Sequence, residues 1–116
     1  MVRADQALAE RLYSVHQGKP FYDALVEFIT RGPIVAIVVA GPGAIALVRK
    51  LMGATFGSQA EPGTLRGDFA MSNRYNIVHG SDSAESAERE IGLFFSPDDI
   101  IDYELDDRRW IDTSRG

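Results

Sequence analysis

Apolar positions recur along this chain first at helical spacing, then in an unbroken run, and the changes of period mark its elements. Asp5 can cap a helix over residues 6–16, in which Leu8, Leu12 and Val15 share a face and Gly18 ends the run. Tyr13 lies off that stripe, either as a partly exposed helix tyrosine or as a ring and hydroxyl facing a ligand. Pro20 suits the first turn of a second helix, where Phe21, Leu25, Phe28 and Ile29 form an apolar face and Gly32 supplies the stop. By default Phe21 and Leu25 are core residues; an aromatic at a helix start can also protrude and stack on a planar ligand. Residues 34–40 are apolar without alternation and rich in β-branched side chains, the pattern of a strand buried on both faces. Gly41-Pro42-Gly43 lacks the spacing of a phosphate loop or dinucleotide fingerprint and reads as a turn into a third helix. That helix, over residues 44–52, buries Ile45, Val48 and Met52 before Gly53, and places Arg49 near its C-terminal end, where the dipole favours a cation.

Residues 54–73 lack periodicity and are rich in Gly and Pro, so they form a long loop; inside a compact domain such a loop is functional or disordered, and this one is expected to be ordered and functional. The loop carries Thr55, Thr64 and Arg66, a hydroxyl and guanidinium set suited to phosphate oxygens. A second strand is expected over residues 74–78. Next comes a turn at His79-Gly80, then a helix whose start is marked by Asp82 with Glu85 three residues later. Ala84, Ala87, Ile91 and Phe94 or Phe95 line its core face, and Glu90 flanks that face. Ser96-Pro97-Asp98-Asp99 caps a short last helix to about residue 101, and the polar tail keeps one large ring, Trp110, suited to packing against something, another subunit included.

Composition narrows the chemistry. The 116 residues make one domain, 45% hydrophobic and 25% charged, as in an ordinary globular protein. Without cysteine there is no disulfide, thiolate metal site or thiol nucleophile. The longest apolar run is too short to span a bilayer and no signal peptide precedes it, so the expected location is cytoplasmic. A net charge of −5 argues against a nucleic-acid coat but allows a local basic pocket at Arg49 and Arg66.

The stretch Asn76-Ile-Val-His79-Gly-Ser81-Asp82-Ser83 sets an imidazole beside a helix N-terminus, where an anionic group such as a phosphoryl group is favoured. A lone histidine there is more often structural. Glu61-Pro-Gly-Thr-Leu-Arg66-Gly-Asp-Phe69 upstream, with His79-Gly-Ser-Asp82-Ser and Glu85-Ser-Ala-Glu-Arg-Glu90, changes the balance: together they resemble the nucleoside diphosphate kinase family over residues 1–110. The resemblance implies an α/β (α+β) ferredoxin-like domain, an antiparallel sheet covered by helices, working as a homo-oligomer (hexamer or tetramer) with Mg²⁺ and nucleoside tri- and diphosphates. It implies ping-pong phosphoryl transfer through phosphohistidine at His79, with Glu90 hydrogen-bonding the ring and Ser81 supporting Glu90. By the same resemblance Tyr13, Arg49, Thr55 and Arg66 bind phosphate and Asn76 binds the sugar and phosphate end. Phe21 and Leu25 clamp the base, and Asp82 lies near the magnesium ion.

One departure stands out. The family begins with a strand carrying a Lys-Pro-Asp motif, a helix and a second strand, and this chain shows none of them, as an N-terminally shortened domain. The missing strand belongs between residues 34–40 and 74–78, so its loss would leave unpaired backbone edges and an opening in the core worth several kcal/mol. Three readings follow: a misplaced start or fragment, which is preferred; a separate or swapped chain that completes the sheet; and a short homologue that binds or regulates without catalysing, assembled with a complete subunit. A phosphohistidine carrier acting on proteins would leave the same His79 turn, and nucleotide dependence separates the two.

Overall fold

The computed structural model describes residues 1–73, 75–107 and Trp110. Helix α1 (Gln6–Leu12) starts where Asp5 accepts the Leu8 N–H at 2.7 Å, as the capping signal predicts. It ends earlier than its apolar stripe suggests. A 3₁₀ turn, Ser14–His16, follows Tyr13 and rotates Val15 outward, while Gly18 at φ 85° turns the chain. Helix α2 (Tyr22–Thr30) buries Val26 and Ile29; Phe21 lies before its first turn and protrudes. Helix α3 (Ala44–Met52) has its predicted bounds, with Met52 fully buried and Gly53 at φ 89° closing it.

The long loop is ordered. It holds a 3₁₀ turn, Gly57–Gln59, and a short helix α4 (Leu65–Phe69) capped by the Thr64 hydroxyl, which accepts the Gly67 N–H at 3.0 Å. Helix α5 (Ala84–Phe94) is capped by Ser83, one residue beyond the expected Asp82. The Ser83 backbone is extended, so its hydroxyl reaches the Ser86 N–H at 3.1 Å, and Glu85 does not close the cap. A 3₁₀ turn, Pro97–Asp99, stands in place of the last helix, held by a reciprocal Ser96 and Asp99 cap.

Helices α1, α2 and α5 pack around Ala4, Ala9, Leu12, Tyr13, Val26 and Ile29, with Leu93 and Phe94 closing the cluster from α5. The expected antiparallel sheet is not formed. Among the described residues the only ladder contact is one antiparallel bridge, Val2 with Ile34. Residues 34–40 are not buried on both faces, since Val35, Ile37 and Val39 are 66%, 74% and 57% exposed. Nor do residues 75–78 form a strand: Ile77 sits at φ 58°. The physical reason is shared, because a strand exists only with a ladder along its edge, and among the described residues neither segment builds one beyond the single bridge at Ile34. Arg74, where the second strand was expected to start, and tail residues 108, 109 and 111–116 lie outside the described residues; Trp110 is exposed.

Candidate active site

The site is assembled by the turn that joins residues 75–78 to α5. Glu90, on the second turn of α5, is 8% exposed, and both of its oxygens are occupied. One is 2.5 Å from His79 Nε2, and the other accepts the Ser81 hydroxyl. A carboxylate only accepts, so the shared proton belongs to Nε2. The ring is thereby held in the Nε2–H tautomer, which leaves the lone pair on Nδ1, an atom with no hydrogen-bond partner among the described residues, on a side chain that is 45% exposed. Tyr13 meets the same ring edge-on, with centroids 6.0 Å apart. Burial and the nearby Glu90 carboxylate push the Tyr13 hydroxyl above the ordinary phenol range, so it remains a donor.

Two arginines brace the turn from the other side. Arg66, 6% exposed, donates Nη2 to the Val78 carbonyl at 2.7 Å, Nε to that of Asn76 at 3.3 Å and Nη1 to that of Gly53 at 3.3 Å. A guanidinium has five N–H groups, so two remain for another acceptor. Arg49 donates to the Gly80 carbonyl at 3.1 Å. Burial, and then the charge of Arg49, lower the Arg66 pKa, which marks two cations close together. Arg49 also contributes to holding the Asp82 carboxyl below the usual range, although the Ser86 hydroxyl is the larger cause. Asn76 donates to the Thr55 carbonyl at 3.5 Å, tying the long loop to the turn.

The structure therefore gathers His79, Glu90, Ser81, Tyr13, Asn76, Arg49 and Arg66 about one turn, with Asp82 on its outer side and Thr55 attached through its backbone. Phe21 stands apart and projects, its ring 5.3 Å from that of His16 with the Lys19 ammonium 5.8 Å from its centre. Leu25 packs against the helical core rather than standing free beside Phe21. Among the described residues no group of three acidic or histidine side chains could hold a metal ion. Sequence reasoning missed Arg89, which donates to the Arg11 and Leu12 carbonyls at 3.0 and 3.3 Å and so fixes the end of α1 that carries Tyr13. Its place next to Glu90 was the available signal.

A cavity of about 700 Å³ opens beside the turn. Tyr13, Asn76, His79, Ser81 and Glu90 line it, whereas Arg49, Thr55 and Arg66 do not reach it, and apart from Arg31 the rest of its wall is apolar. It is therefore a gap in the core and not a pocket for phosphates. No helix among the described residues is long and apolar enough to cross a membrane.

The nucleoside diphosphate kinase family model matches residues 1–100. A nucleoside diphosphate kinase of Thermomicrobium roseum is 53% identical over 111 residues, covering 96% of this chain and 74% of its own. That of Thermus thermophilus is 54% identical over 101 residues, covering 87% and 74%. Among solved structures, a halophilic nucleoside diphosphate kinase from Halobacterium salinarum in complex with CDP superposes with a TM-score of 0.90 at 46% identity, over 95% of this chain and 74% of that one. Over that length the chain follows the path of the α/β kinase fold, although no sheet forms among the described residues. With motif, site geometry and relatives in agreement, the chain belongs to the nucleoside diphosphate kinase family.

Proposed function

We propose that His79 carries the phosphoryl group in a ping-pong transfer between nucleoside tri- and diphosphates. The observation that supports this most directly is the fixed tautomer, with Glu90 on Nε2 and Nδ1 left open. In the first half-reaction the Nδ1 lone pair attacks the γ-phosphorus. The N–P bond forms as the bond to the bridging oxygen breaks, and the diphosphate leaves with that electron pair. The Nε2 proton stays on the ring, where Glu90 stabilises the cation that develops. In the second half-reaction a terminal oxygen of an acceptor diphosphate attacks phosphorus, the N–P bond breaks, and His79 returns to its neutral form.

Positioning and charge neutralisation carry most of such a transfer. Arg49, the two free N–H groups of Arg66 and the Tyr13 hydroxyl supply positive charge and donors to the phosphoryl oxygens, with Thr55 and Asn76 beside them. Phe21 offers a stacking face that reads no base edge, which favours tolerance among bases; Leu25 supports the helix behind it. Mg²⁺ needs few protein ligands because nucleotide phosphates and water complete its octahedron. Asp82, held ionised by the Ser86 hydroxyl, fits as a single carboxylate beside it. When bound, the ion neutralises phosphate charge. Exposed Leu47, Leu51, Phe69 and Met71 favour a homo-oligomer.

The test is the intact mass of the chain after brief exposure to ATP and Mg²⁺, before and after GDP is added. One phosphoryl increment that GDP discharges is expected, and its absence in a folded His79→Gln variant. An equal increment in that variant would overturn the assignment.

A further inference from the structure

Helix α5 sends two neighbouring side chains to two different parts of the site. Successive residues on a helix diverge by about 100°, so Glu90 turns to the His79 ring while Arg89 turns to the end of α1. One turn further on, Leu93 packs against the cluster to which α1 contributes Ala9 and Leu12. Arg89 therefore stands at the edge of a packed pair of helices, itself exposed.

Its two Nη groups donate to the Arg11 and Leu12 carbonyls, at 3.0 and 3.3 Å. Carbonyls at a helix C-terminus lack intrahelical donors, and a planar guanidinium can satisfy two at once. Among the described residues no carboxylate lies in ion-pair range of Arg89, so what it holds is main chain. The next residue is Tyr13, at which α1 ends. Its ring meets His79 edge-on, with centroids 6.0 Å apart and planes at 88°. Its hydroxyl is close enough to Glu90 to feel that charge. One turn of α5 thus holds both partners in place, the histidine through Glu90 and the tyrosine through Arg89.

We propose that Arg89 is a positioning residue for phosphoryl transfer, acting through Tyr13. By fixing the end of α1 it keeps the tyrosine hydroxyl on the phosphoryl oxygens while Glu90 aims the histidine, a role that rests on the reading of His79 as the phosphoryl carrier. At an exposed position such bonds add little to global stability, so their consequence is geometric. A displaced donor no longer follows the oxygens into the transition state, and a misplacement of about 1 Å can cost roughly 100-fold in rate.

The test is a double-mutant cycle read by single-turnover phosphoenzyme formation from ATP and Mg²⁺, which separates the rate constant from nucleotide affinity. Arg89→Met keeps an unbranched side chain and removes the donors. The rate constant should fall by about tenfold, with affinity changed by less than about twofold. In a Tyr13→Phe background the same substitution should change the rate by less than about twofold, because the hydroxyl it positions is already gone. Arg89→Lys, which keeps the charge and a donor, should lose about threefold, again only when the hydroxyl is present. That variant carries the test should Arg89→Met fail to fold. Unchanged rates in both Arg89 variants, or equal losses with and without the Tyr13 hydroxyl, would overturn the proposal. No phosphoenzyme in the wild type, or phosphate on a folded His79→Gln variant, would instead remove the carrier reading and this role with it, so the two failures are distinct.

Discussion

Glu90 shows how one buried carboxylate can set the chemistry of a ring. Its oxygens accept from His79 Nε2 and from Ser81, and no third group is needed to satisfy it. In Glu90→Gln one of the two acceptors becomes a donor, so His79 or Ser81 loses its partner and the preferred tautomer is no longer held. The rate of phosphoenzyme formation should fall by about 10–100-fold, with nucleotide affinity nearly unchanged, as single-turnover kinetics would report. Arg66 presents the opposite case. Its motif suggests a phosphate ligand, but three of its N–H groups bind carbonyls from Gly53, Asn76 and Val78, which join the long loop to the histidine turn. Arg66→Ala should therefore lower stability by about 2–4 kcal/mol as well as weaken phosphate binding. Urea denaturation measures the first effect; unchanged stability would limit Arg66 to ligand binding.

At the scale of elements, caps and breakers were legible where they act through neighbours in sequence. Asp5 at α1, Gly53 after α3 and the Ser96 and Asp99 box all lie where local chemistry puts them. Misplacement by one residue, as with Asp82 and Ser83, reflects two competing oxygens of which only the one on extended backbone reaches the N3 amide. The two expected strands failed for a different reason. β-branched composition makes residues 34–40 able to be a strand, but the ladder needs a second edge, and Ile77 turns back on itself in its absence. Ile77→Asn, which tolerates the left-handed region, should stabilise the chain alone by about 1 kcal/mol in chemical denaturation. A loss of stability would show that the Ile77 side chain contributes more than its backbone strain costs.

Across the whole molecule, the core is small. Its radius of gyration, 15.9 Å, exceeds the roughly 13 Å expected of a compact domain of this length. Met52 is the one large side chain fully buried among the described residues. Tyr13 connects this core to the site, lying in the α1, α2 and α5 cluster and against His79. Its hydroxyl is held above the phenol range by burial first and by Glu90 second, so the folded state retains the proton where the unfolded chain would release it. The associated stability is present below about pH 10 and is lost as pH rises through the folded value. Denaturation midpoints of the wild type should fall in that alkaline window more steeply than those of Tyr13→Phe. Parallel curves would show that Tyr13 does not couple ionisation to folding.

The sequence by itself determined most of the longer helices, the histidine turn and the family, because periodicity, capping and short motifs are written in residues a few positions apart; it missed α4 and placed the cap of α5 one residue early. Tertiary structure alone decided which of those residues are buried and what their polar atoms meet. It brought Tyr13 from the side of a helix stripe onto the His79 ring, joined Arg89 to the end of α1, and engaged Arg66 with three carbonyls. It also left residues 34–39 and 76–80 lining one cavity with no ladder between them, since strand pairing depends on a neighbour distant in sequence and no local pattern can supply it.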